Sequence, residues 1–345
     1  AKNSIDKIQK VIENALKTIP SCGLLKFADF GSADGGTSQE MWSNIIKLIR
    51  DKGDDRQIEI LYTDLASNDF STLFKTMQGM HGNSNFAFQK NFKDVYVHGS
   101  GTGFHEQLMS DSSLTLGFSA TAMHYVSERP CLIENHVHMT GANESERKLF
   151  KKQASKDWET ILLNRSNELI IGGRFVCVNF GIDEEGRCLG NTGGHIMFNN
   201  FAKNWKQLAD QGVITKQEFI NATFTQHYRT VEEFKKPFED KDSLISKSGL
   251  VLKSCETMIT DCPYKLHYLN NKDTMSSEEY ANTLIPTMRS WSETVFRNAL
   301  IDRTEKEINE IVDKFYNIYI EDVSNNPEGH AMDYVHVIMD VEKVS

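Results

Sequence analysis

Two aspartates that end successive predicted strands are the first residues whose type and spacing indicate chemistry. Asp29 stands just before a loop of small residues, G-S-A-D-G-G-T-S at 31–38, that opens a predicted helix. Glycines allow a backbone to approach a ligand closely, and this loop lacks the G-x-G-x-x-G spacing of the dinucleotide fingerprint. Asp64 ends the next strand, where a carboxylate can accept both hydroxyls of a ribose. An acidic residue beside such a loop favours a cationic nucleoside over a pyrophosphate.

S-adenosylmethionine fits these requirements, because it has a ribose, a positively charged sulfonium and no phosphate. A glycine turn alone is equally typical of a tight connection between a strand and a helix. The second aspartate, Asp64, favours the ligand interpretation. We therefore predict an S-adenosylmethionine site at the carboxyl ends of these strands, with S-adenosylhomocysteine as the product.

Three histidines are candidates for further chemistry. His124 is the nearest base if the methyl acceptor were a protonated amine or ring nitrogen, although a structural role suits it as well. His136-x-His138 has the alternation of a metal-binding pair, but it has no neighbouring cysteine or ordered acidic partner. We predict no metal site.

The elements that must position these residues alternate between helix and strand. Apolar residues have helical spacing at 5–19, 39–49, 69–77, 278–291 and 292–319, and buried strands are predicted at 24–30, 58–63, 94–97, 113–118, 174–180, 250–254 and 334–341. This alternation is typical of an α/β fold with a doubly wound, mostly parallel sheet.

Two largely helical stretches, 191–245 and 276–325, interrupt the later part of the chain. We predict that they form a cap over the carboxyl ends of the strands, where such sheets bind ligands. The remaining segments, 1–190, 246–275 and 326–345, are predicted to form the cofactor-binding core.

Composition limits the classes of partner. The 345 residues are 39% hydrophobic, and their formal charge is −10, which argues against a nucleic-acid or anionic-membrane surface. No apolar run approaches the roughly 18 residues of a membrane span. The six cysteines show no Cys-x-x-Cys spacing, which favours reduced thiols and a cytoplasmic protein.

Several motifs resemble those of the plant-type SABATH methyltransferases, which use S-adenosylmethionine to methylate carboxyl groups of small acids or ring nitrogens of purines. F-A-D-F-G-S-A-D-G at 27–35 is similar to that family's I-A-D-L-G-C-S-S-G, and D-L-A-S-N-D-F-S-T-L-F at 64–74 is similar to D-L-P-G-N-D-F-N-x-L-F. G-F-H-E-Q-L at 103–108 resembles S-F-Y-x-R-L. S-A-T-A-M-H-Y-V-S-E-R-P at 119–130 resembles S-S-Y-S-L-M-W-L-S-x-V-P, and 208–228 resembles the cap region. The resemblance implies a Rossmann-like methyltransferase sheet with a helical cap.

The resemblance also implies a set of cofactor-binding residues. Asp29 and Gly31 would shape the methionine pocket, and Asp64 would hold the ribose. The other implied contacts are Ser4 at the cofactor carboxylate, Leu65, Gly103 and Phe104 around the adenine, and Ser119 and Ala120 along the cofactor wall.

Three positions that hold the acceptor in salicylate-type members carry different residues here. Lys7 stands where a glutamine helps to hold the substrate carboxylate, Tyr125 where a tryptophan does, and Thr121 where the pocket has a tyrosine. A lysine can pair with a carboxylate more strongly than a glutamine, and Tyr125 keeps a hydroxyl donor. We predict that Lys7, Thr121 and Tyr125 bind the acid, and that Lys7, Tyr125 and His124 form the catalytic set.

The predicted function is an S-adenosylmethionine-dependent O-methyltransferase that converts the carboxylate of a small-molecule acid to its methyl ester by in-line displacement. A carboxylic acid with an ordinary pKa of about 4 is ionised at neutral pH and needs no base. The alternatives are an N-methyltransferase acting on a small heterocycle or amine, and a non-catalytic homologue that binds a small ligand. Because relatives of this type are often dimers, a homodimer is also expected.

Overall fold

In a computed structural model, which describes residues 2–19, 23–191 and 197–345 and their side chains from residue 6 onward, the strands form one eight-stranded sheet. In chain order the strands are β1 (Leu24–Phe30), β2 (Gln57–Thr63), β3 (Val95–Ser100), β4 (Leu114–Ala120), β5 (Leu169–Ile182), β6 (Arg229–Thr230), β7 (Leu250–Thr260) and β8 (Tyr334–Lys343). The order across the sheet is β3-β2-β1-β4-β5-β8-β7, with the short β6 paired to β5. β8 runs antiparallel to both neighbours, and the other pairs are parallel. The predicted mostly parallel sheet is confirmed.

Helices follow most of the strands. In chain order they are α1 (Lys2–Leu16), α2 (Gly36–Asp51), α3 (Phe70–Met77), α4 (Phe88–Asn91), α5 (Glu144–Glu168), α6 (Met197–Asp210), α7 (Lys216–Asn221), α8 (Val231–Glu239), α9 (Leu244–Lys247), α10 (Pro263–Asn270), α11 (Ser277–Ala299) and α12 (Glu305–Asn325). Within the described part of the chain, no helix is long and apolar enough to cross a membrane.

Apolar side chains cover both faces of the sheet. Successive residues of β1 point to opposite faces, so Phe27 packs in one core with Trp42 of α2, whereas Ala28 packs in the other with Trp158 of α5. The first core also contains side chains of α1 and α3, and the second contains side chains of α8 and α9. This three-layer arrangement is the doubly wound α/β fold that the sequence predicts, and it leaves the carboxyl ends of the strands open to ligands.

A third cluster of buried side chains joins α6, α7, α10, α11 and α12. Aromatic rings dominate it, and the ring centroids of Phe296 and Phe315 are 4.3 Å apart. This helical layer lies largely in the stretches predicted as a cap.

Residues 231–245, which the sequence predicts as part of the cap, pack on the sheet. Phe234 of α8 packs edge-on against Trp158 with a centroid distance of 5.4 Å, and its carbonyl accepts a 3.2 Å hydrogen bond from the indole. Ile245 of α9 lies in the same core as β5 and β8. Conversely, α10 lies in a stretch predicted as part of the cofactor-binding core, but it packs against α11 of the helical layer. Helical periodicity identifies an apolar face but does not identify the surface that covers it.

One helix boundary also differs from the prediction. The helix predicted at 292–319 is interrupted, because α11 runs on to Ala299 and α12 begins only after Thr304. Thr304 and Glu307 form a capping box that starts α12. The break has no glycine or proline, so the periodic pattern on both sides conceals it.

Candidate active site

The loop after β1 is held to the end of β2 by backbone hydrogen bonds. The N–H groups of Gly31 and Ser32 donate to the carbonyl of Thr63 at 2.8 and 3.0 Å. Gly31 has φ of +75°, and a Cβ there would lie 2.4 Å from the Cβ of Ala122. Glycine is therefore required both by the left-handed backbone and by the close approach of the segment after β4.

Asp64 is oriented by the same loop. Its two carboxylate oxygens accept 2.7 Å hydrogen bonds from the N–H groups of Ala33 and Leu65. A carboxylate has about four acceptor positions, so lone pairs remain for a pair of hydroxyls. Asn68 supports the arrangement by donating to the carbonyl of Ala33 at 2.8 Å.

Asp29 is a buried carboxyl group with 2% of its surface exposed. Burial raises its pKa to about 6, and the negative charge of Asp64 adds to the rise, while hydrogen bonds from Ser38 and Trp42 oppose it. The indole Nε1 of Trp42 donates to its carboxylate at 3.0 Å. A buried carboxyl of this kind is stabilised in its charged form by a cation beside it.

These residues surround a cavity of about 520 Å³ at the carboxyl ends of β1, β2 and β4, which we call the cofactor cavity. Among the predicted cofactor residues, those that line it are Asp29, Gly31, Asp64, Leu65, Gly103, Phe104 and Ala120. Further lining residues lie within the loop 31–38 and the motifs at 103–108 and 119–130 but were not predicted individually; they are Ser32, Ala33, Thr37, Ser38, His105, Ala122, Val126 and Ser127. The lining fits S-adenosylmethionine, since it combines a buried carboxyl, a second oriented carboxylate and apolar side chains beside them.

One predicted cofactor residue, Ser119, is not part of this lining. Ser119 is fully buried, and its hydroxyl donates to the carbonyl of Phe30 at 2.8 Å, so it joins the ends of β4 and β1. The side chain of Ser4 lies outside the described residues.

A buried ion pair supports the wall around Phe104. Arg165 and Glu168, near the end of α5, are fully buried, and Arg165 donates to both carboxylate oxygens at 2.6 and 2.7 Å. Arg165 also donates to the carbonyls of Phe104 and Glu106 at 2.9 and 2.8 Å. Glu168 accepts from the backbone N–H of Leu108. The pair thus fixes the loop that carries Phe104, and no sequence motif indicated it.

A second cavity, of about 250 Å³, adjoins the first, and we call it the acceptor cavity. Its lining residues are Thr121, His124, Tyr125, Phe180, Leu189, Gln226, Tyr228, Thr287, Ser290, Trp291, Met332 and Tyr334. Thr121 and Tyr125 line both cavities. Most of the others come from β5, α11 and the segments before β6 and β8. Several lie in the predicted cap, but apart from His124 none of them was predicted individually as a site residue.

The segment 124–126 is paired with the segment 225–227 by backbone hydrogen bonds. Val126 N–H donates to the carbonyl of Thr225 at 3.2 Å, and His227 N–H donates to the carbonyl of His124 at 2.9 Å. Tyr125 and Gln226 face each other across this antiparallel bridge. The segment after β4 and the segment before β6 are therefore joined where the two cavities meet.

His124 is buried in the wall of the acceptor cavity. Its Nδ1–H donates to Oδ1 of Asn179 at 3.2 Å, and its ring packs against Tyr125, Phe180 and Tyr228. Burial lowers the pKa of His124 to about 3, so the imidazole is neutral at physiological pH. A neutral and weakly basic ring is poorly suited to deprotonate an amine.

Lys7 lies away from both cavities. Its ammonium forms a 2.9 Å ion pair with Glu256 of β7, and both side chains are substantially exposed. The structure therefore brings Thr121, Tyr125 and His124 together but leaves Lys7 apart from them.

The pair His136 and His138 is engaged by protein groups. His136 contacts the carbonyl of His138 at 2.9 Å through Nδ1 and Asn199 at 3.0 Å through Nε2. The ring of His138 stacks on Phe198 with centroids 3.7 Å apart. Among the described residues, no group of three or more potential metal ligands occurs.

Comparison with known proteins identifies the family. A sequence-family profile described as SAM dependent carboxyl methyltransferase matches residues 1–343. Farnesoic acid carboxyl-O-methyltransferase of Arabidopsis thaliana is 23% identical over 249 residues, which are 68% of this chain and 68% of that protein. Methyltransferase FUS9 of Gibberella moniliformis is 26% identical over 276 residues, which are 79% of this chain and 71% of that protein. Loganic acid O-methyltransferase of Catharanthus roseus is 20% identical over 230 residues, which are 63% of this chain and 59% of that protein.

A solved structure described as loganic acid methyltransferase with SAH has the same fold. Its TM-score is 0.73 at 16% sequence identity, and the match covers 100% of this chain and 94% of that one.

Together, the doubly wound sheet and the two joined cavities define a methyltransferase of the α/β class that uses a nucleoside cofactor. The chain belongs to the family of S-adenosylmethionine-dependent carboxyl methyltransferases, since the family profile spans nearly all of it. The resemblance to the SABATH methyltransferases is confirmed, and so is the predicted cofactor.

Proposed function

We propose that the protein methylates the carboxylate of a small, largely apolar acid bound in the acceptor cavity. One observation carries the proposal: Thr121 and Tyr125 line both the cofactor cavity and the acceptor cavity. An acid that contacts these two residues would hold its carboxylate at the junction, next to the cofactor. Proximity and alignment of this kind supply much of the rate increase in such transfers.

The chain's own residues bind and orient the two reactants. Asp29 and Asp64 would hold the cofactor through its cationic part and its ribose, and the hydroxyls of Thr121 and Tyr125 would donate to the acid. When bound, S-adenosylmethionine supplies an activated methyl group that a carboxylate oxygen accepts, with S-adenosylhomocysteine as the other product. Rings from β5 and α11, such as Phe180 and Trp291, exclude water from the acceptor.

The protonation state of His124 favours oxygen over nitrogen as the methyl acceptor. Because the pKa of His124 is lowered to about 3, the ring is a weak base, and a protonated amine in this cavity would keep its proton. A carboxylate needs no base. The alternative of N-methylation on the same scaffold is therefore less well supported.

The size and lining of the acceptor cavity limit the acid. About 250 Å³ walled by Tyr125, Phe180, Tyr228, Trp291 and Tyr334 suits an aromatic or isoprenoid body rather than a peptide. Relatives named for farnesoic and loganic acids support the inclusion of isoprenoid acids among the candidates.

The test is to incubate the protein with methyl-labelled S-adenosylmethionine and benzoic, farnesoic, loganic and octanoic acids, and then to treat the products with mild base. Label released as methanol is the expected result, because methyl esters hydrolyse in base. Transfer that resists base would contradict the proposal and indicate a nitrogen acceptor. Cofactor binding without transfer to any acid would favour a binding-only role.

We also propose a homodimer and a cytoplasmic location. The family resemblance supports the dimer, and the lack of Cys-x-x-Cys spacing in the sequence supports a reducing compartment. Light scattering after size-exclusion chromatography tests the first, and fractionation of cells that express the protein tests the second.

A further inference from the structure

We propose that Gln226 is the second donor that holds the acceptor carboxylate, beside the hydroxyl of Tyr125, and that this pair replaces the predicted contribution of Lys7. The inference rests on the proposed function, since it assumes a carboxylate as acceptor. Gln226 lies in the stretch 208–228 that resembles the family's cap region, and its position in the fold indicates which role it has there.

The side chain of Gln226 is buried, with 1% of its surface exposed, yet it lines the acceptor cavity. Its Oε1 accepts a 3.4 Å hydrogen bond from the hydroxyl of Tyr228. Because the oxygen is used in this way, the amide nitrogen is the end available to an acid. A buried amide that donates to a carboxylate has its polar group satisfied, which is the usual requirement for such a group in a protein interior.

The side chain of Gln226 also interacts with the hydroxyl of Tyr125. Burial raises the pKa of Tyr125, and a hydrogen bond from the side chain of Gln226 opposes that rise, as expected when the amide donates to the phenol oxygen. The phenol proton is then free to point to a ligand. Tyr125 and Gln226 would thus present one O–H and one N–H to the same carboxylate.

The backbone holds this pair together. Tyr125 and Gln226 are opposite each other in the antiparallel bridge, and flanking hydrogen bonds of 3.2 and 2.9 Å fix the register of the two segments. Donors held in this way need little rearrangement when the acid binds, and such preorganisation stabilises the bound anion.

The charge of the lining points to the same arrangement. Among the described residues that line the acceptor cavity there is no lysine or arginine, and the ammonium of Lys7 is paired with Glu256. The described lining residues therefore offer a carboxylate only neutral donors. Neutral donors orient the anion and leave more negative charge on the attacking oxygen than a paired ammonium would.

Two variants at one position test the inference. Gln226→Leu removes the donor, and Gln226→Glu keeps the size but places a negative charge beside the acceptor carboxylate. The measurement is kcat and KM for whichever of benzoic, farnesoic and loganic acids the wild type methylates with the lowest KM, at saturating S-adenosylmethionine. We expect Gln226→Leu to raise the KM of the acid at least about tenfold, as loss of a hydrogen bond to a charged group does. We expect Gln226→Glu to raise it further.

The order of the two variants separates binding from a structural role. If Gln226 only filled space or supported Tyr228, the nearly isosteric glutamate would be the milder change, and that order would overturn the inference. Calorimetric titration with S-adenosylhomocysteine shows whether each variant is folded, and we expect an affinity within about twofold of the wild type. Gln217→Glu, on the exposed surface of α7, is the matched control for the charge change.

Failure of the inference and failure of the proposed function give different results. If the wild type forms a base-labile methyl ester and the KM of the acid is unchanged in Gln226→Leu, the inference is wrong and the function stands. If the wild type forms only base-stable product, the proposed function is wrong, and the inference falls with it.

Discussion

The indole Nε1 of Trp42 donates a 3.0 Å hydrogen bond to the carboxylate of Asp29, across the interface between α2 and β1. This bond does not compensate for burial, because the pKa of Asp29 is still raised to about 6. The protein therefore maintains a costly carboxylate in the wall of the cofactor cavity. A cationic ligand beside Asp29 would offset the free energy lost in burying the ionised carboxylate, which explains why a binding site keeps this residue.

Asp29→Asn should stabilise the free protein and weaken cofactor binding. The folded-state pKa lies above the ordinary value of 3.8, so ionisation of Asp29 lowers stability as pH rises from about 4 to 6, and the cost persists at neutral pH. Asparagine keeps an acceptor for Trp42 without the charge. We expect the free energy of unfolding at pH 7.5 to rise by roughly 1–3 kcal/mol, while affinity for S-adenosylmethionine falls about tenfold or more.

Urea titrations at pH 4 and pH 7.5, with calorimetry of cofactor binding, measure both effects. Most of the gain in stability should be lost at pH 4, where Asp29 is protonated in the folded protein and about half protonated in the unfolded chain, whose pKa is near 3.8. A loss of stability at pH 7.5 would contradict this account of the site.

Cofactor affinity should depend on pH in the wild type. In the free protein Asp29 titrates with a pKa of about 6, and a cation beside it lowers that pKa in the complex. Binding therefore releases a proton below about pH 6, and affinity should decrease as pH falls through 6. Calorimetry in buffers of different ionisation enthalpy measures the proton release, and Asp29→Asn should abolish it.

Gly31→Ala should disrupt the cofactor cavity. The added Cβ would lie 2.4 Å from that of Ala122, in addition to the strain of a left-handed φ. Gly53 has nearly the same φ, +76°, and no heavy atom within 4 Å of a Cβ built there, so Gly53→Ala isolates the backbone strain. We expect a loss of about 1–2 kcal/mol in stability for Gly53→Ala, and a larger loss together with much weaker cofactor binding for Gly31→Ala. If the two substitutions have equal effects on the free energy of unfolding and on the affinity for the cofactor, the contact with Ala122 is unimportant.

Arg165→Lys should weaken binding of the cofactor more than it slows the methyl transfer. A lysine keeps the charge but cannot hold Glu168 with two parallel bonds and also reach the carbonyls of Phe104 and Glu106. We expect the KM of S-adenosylmethionine to rise severalfold with little change in kcat, and stability to fall by about 3 kcal/mol or more. Arg297→Lys, which alters a partly exposed ion pair between α11 and Glu305 of α12, is the control. A fall in kcat at unchanged KM would show that the loop is not positioned through this pair.

Lys7→Met tests the sequence-based prediction that a lysine holds the acid. The ion pair with Glu256 is exposed, and pairs of this kind contribute about 0–1 kcal/mol. If the observed geometry is retained when the acid binds, its KM should change less than about twofold. A rise of tenfold or more would show that Lys7 moves to the acceptor when the acid binds.

The sequence by itself determined the parts of the fold that depend on local pattern. β1 has the predicted bounds, and β2 differs by one residue, because a short apolar run marks each strand and the glycine loop ends β1. Asp29 and Asp64 could be placed together, because parallel neighbouring strands bring their carboxyl ends to one edge. By contrast, the placement of α8 on the sheet and the end of α11 at Ala299 were not predictable. The helical spacing of apolar residues is the same whichever surface covers the helix.

Only the tertiary structure decided how the acceptor is held. The wall of the acceptor cavity joins side chains that are far apart in the sequence: Tyr125 is more than one hundred residues from both Gln226 and Trp291, and no periodicity relates them. The same folding paired Lys7 with Glu256 of β7, away from the acceptor cavity where the sequence predicted its role. Motifs report which backbone segments approach the cofactor, because that approach depends on local turns and strand ends. The identity of the donors that face the acid depends on which distant segments pack together, and packing is a property of the whole chain.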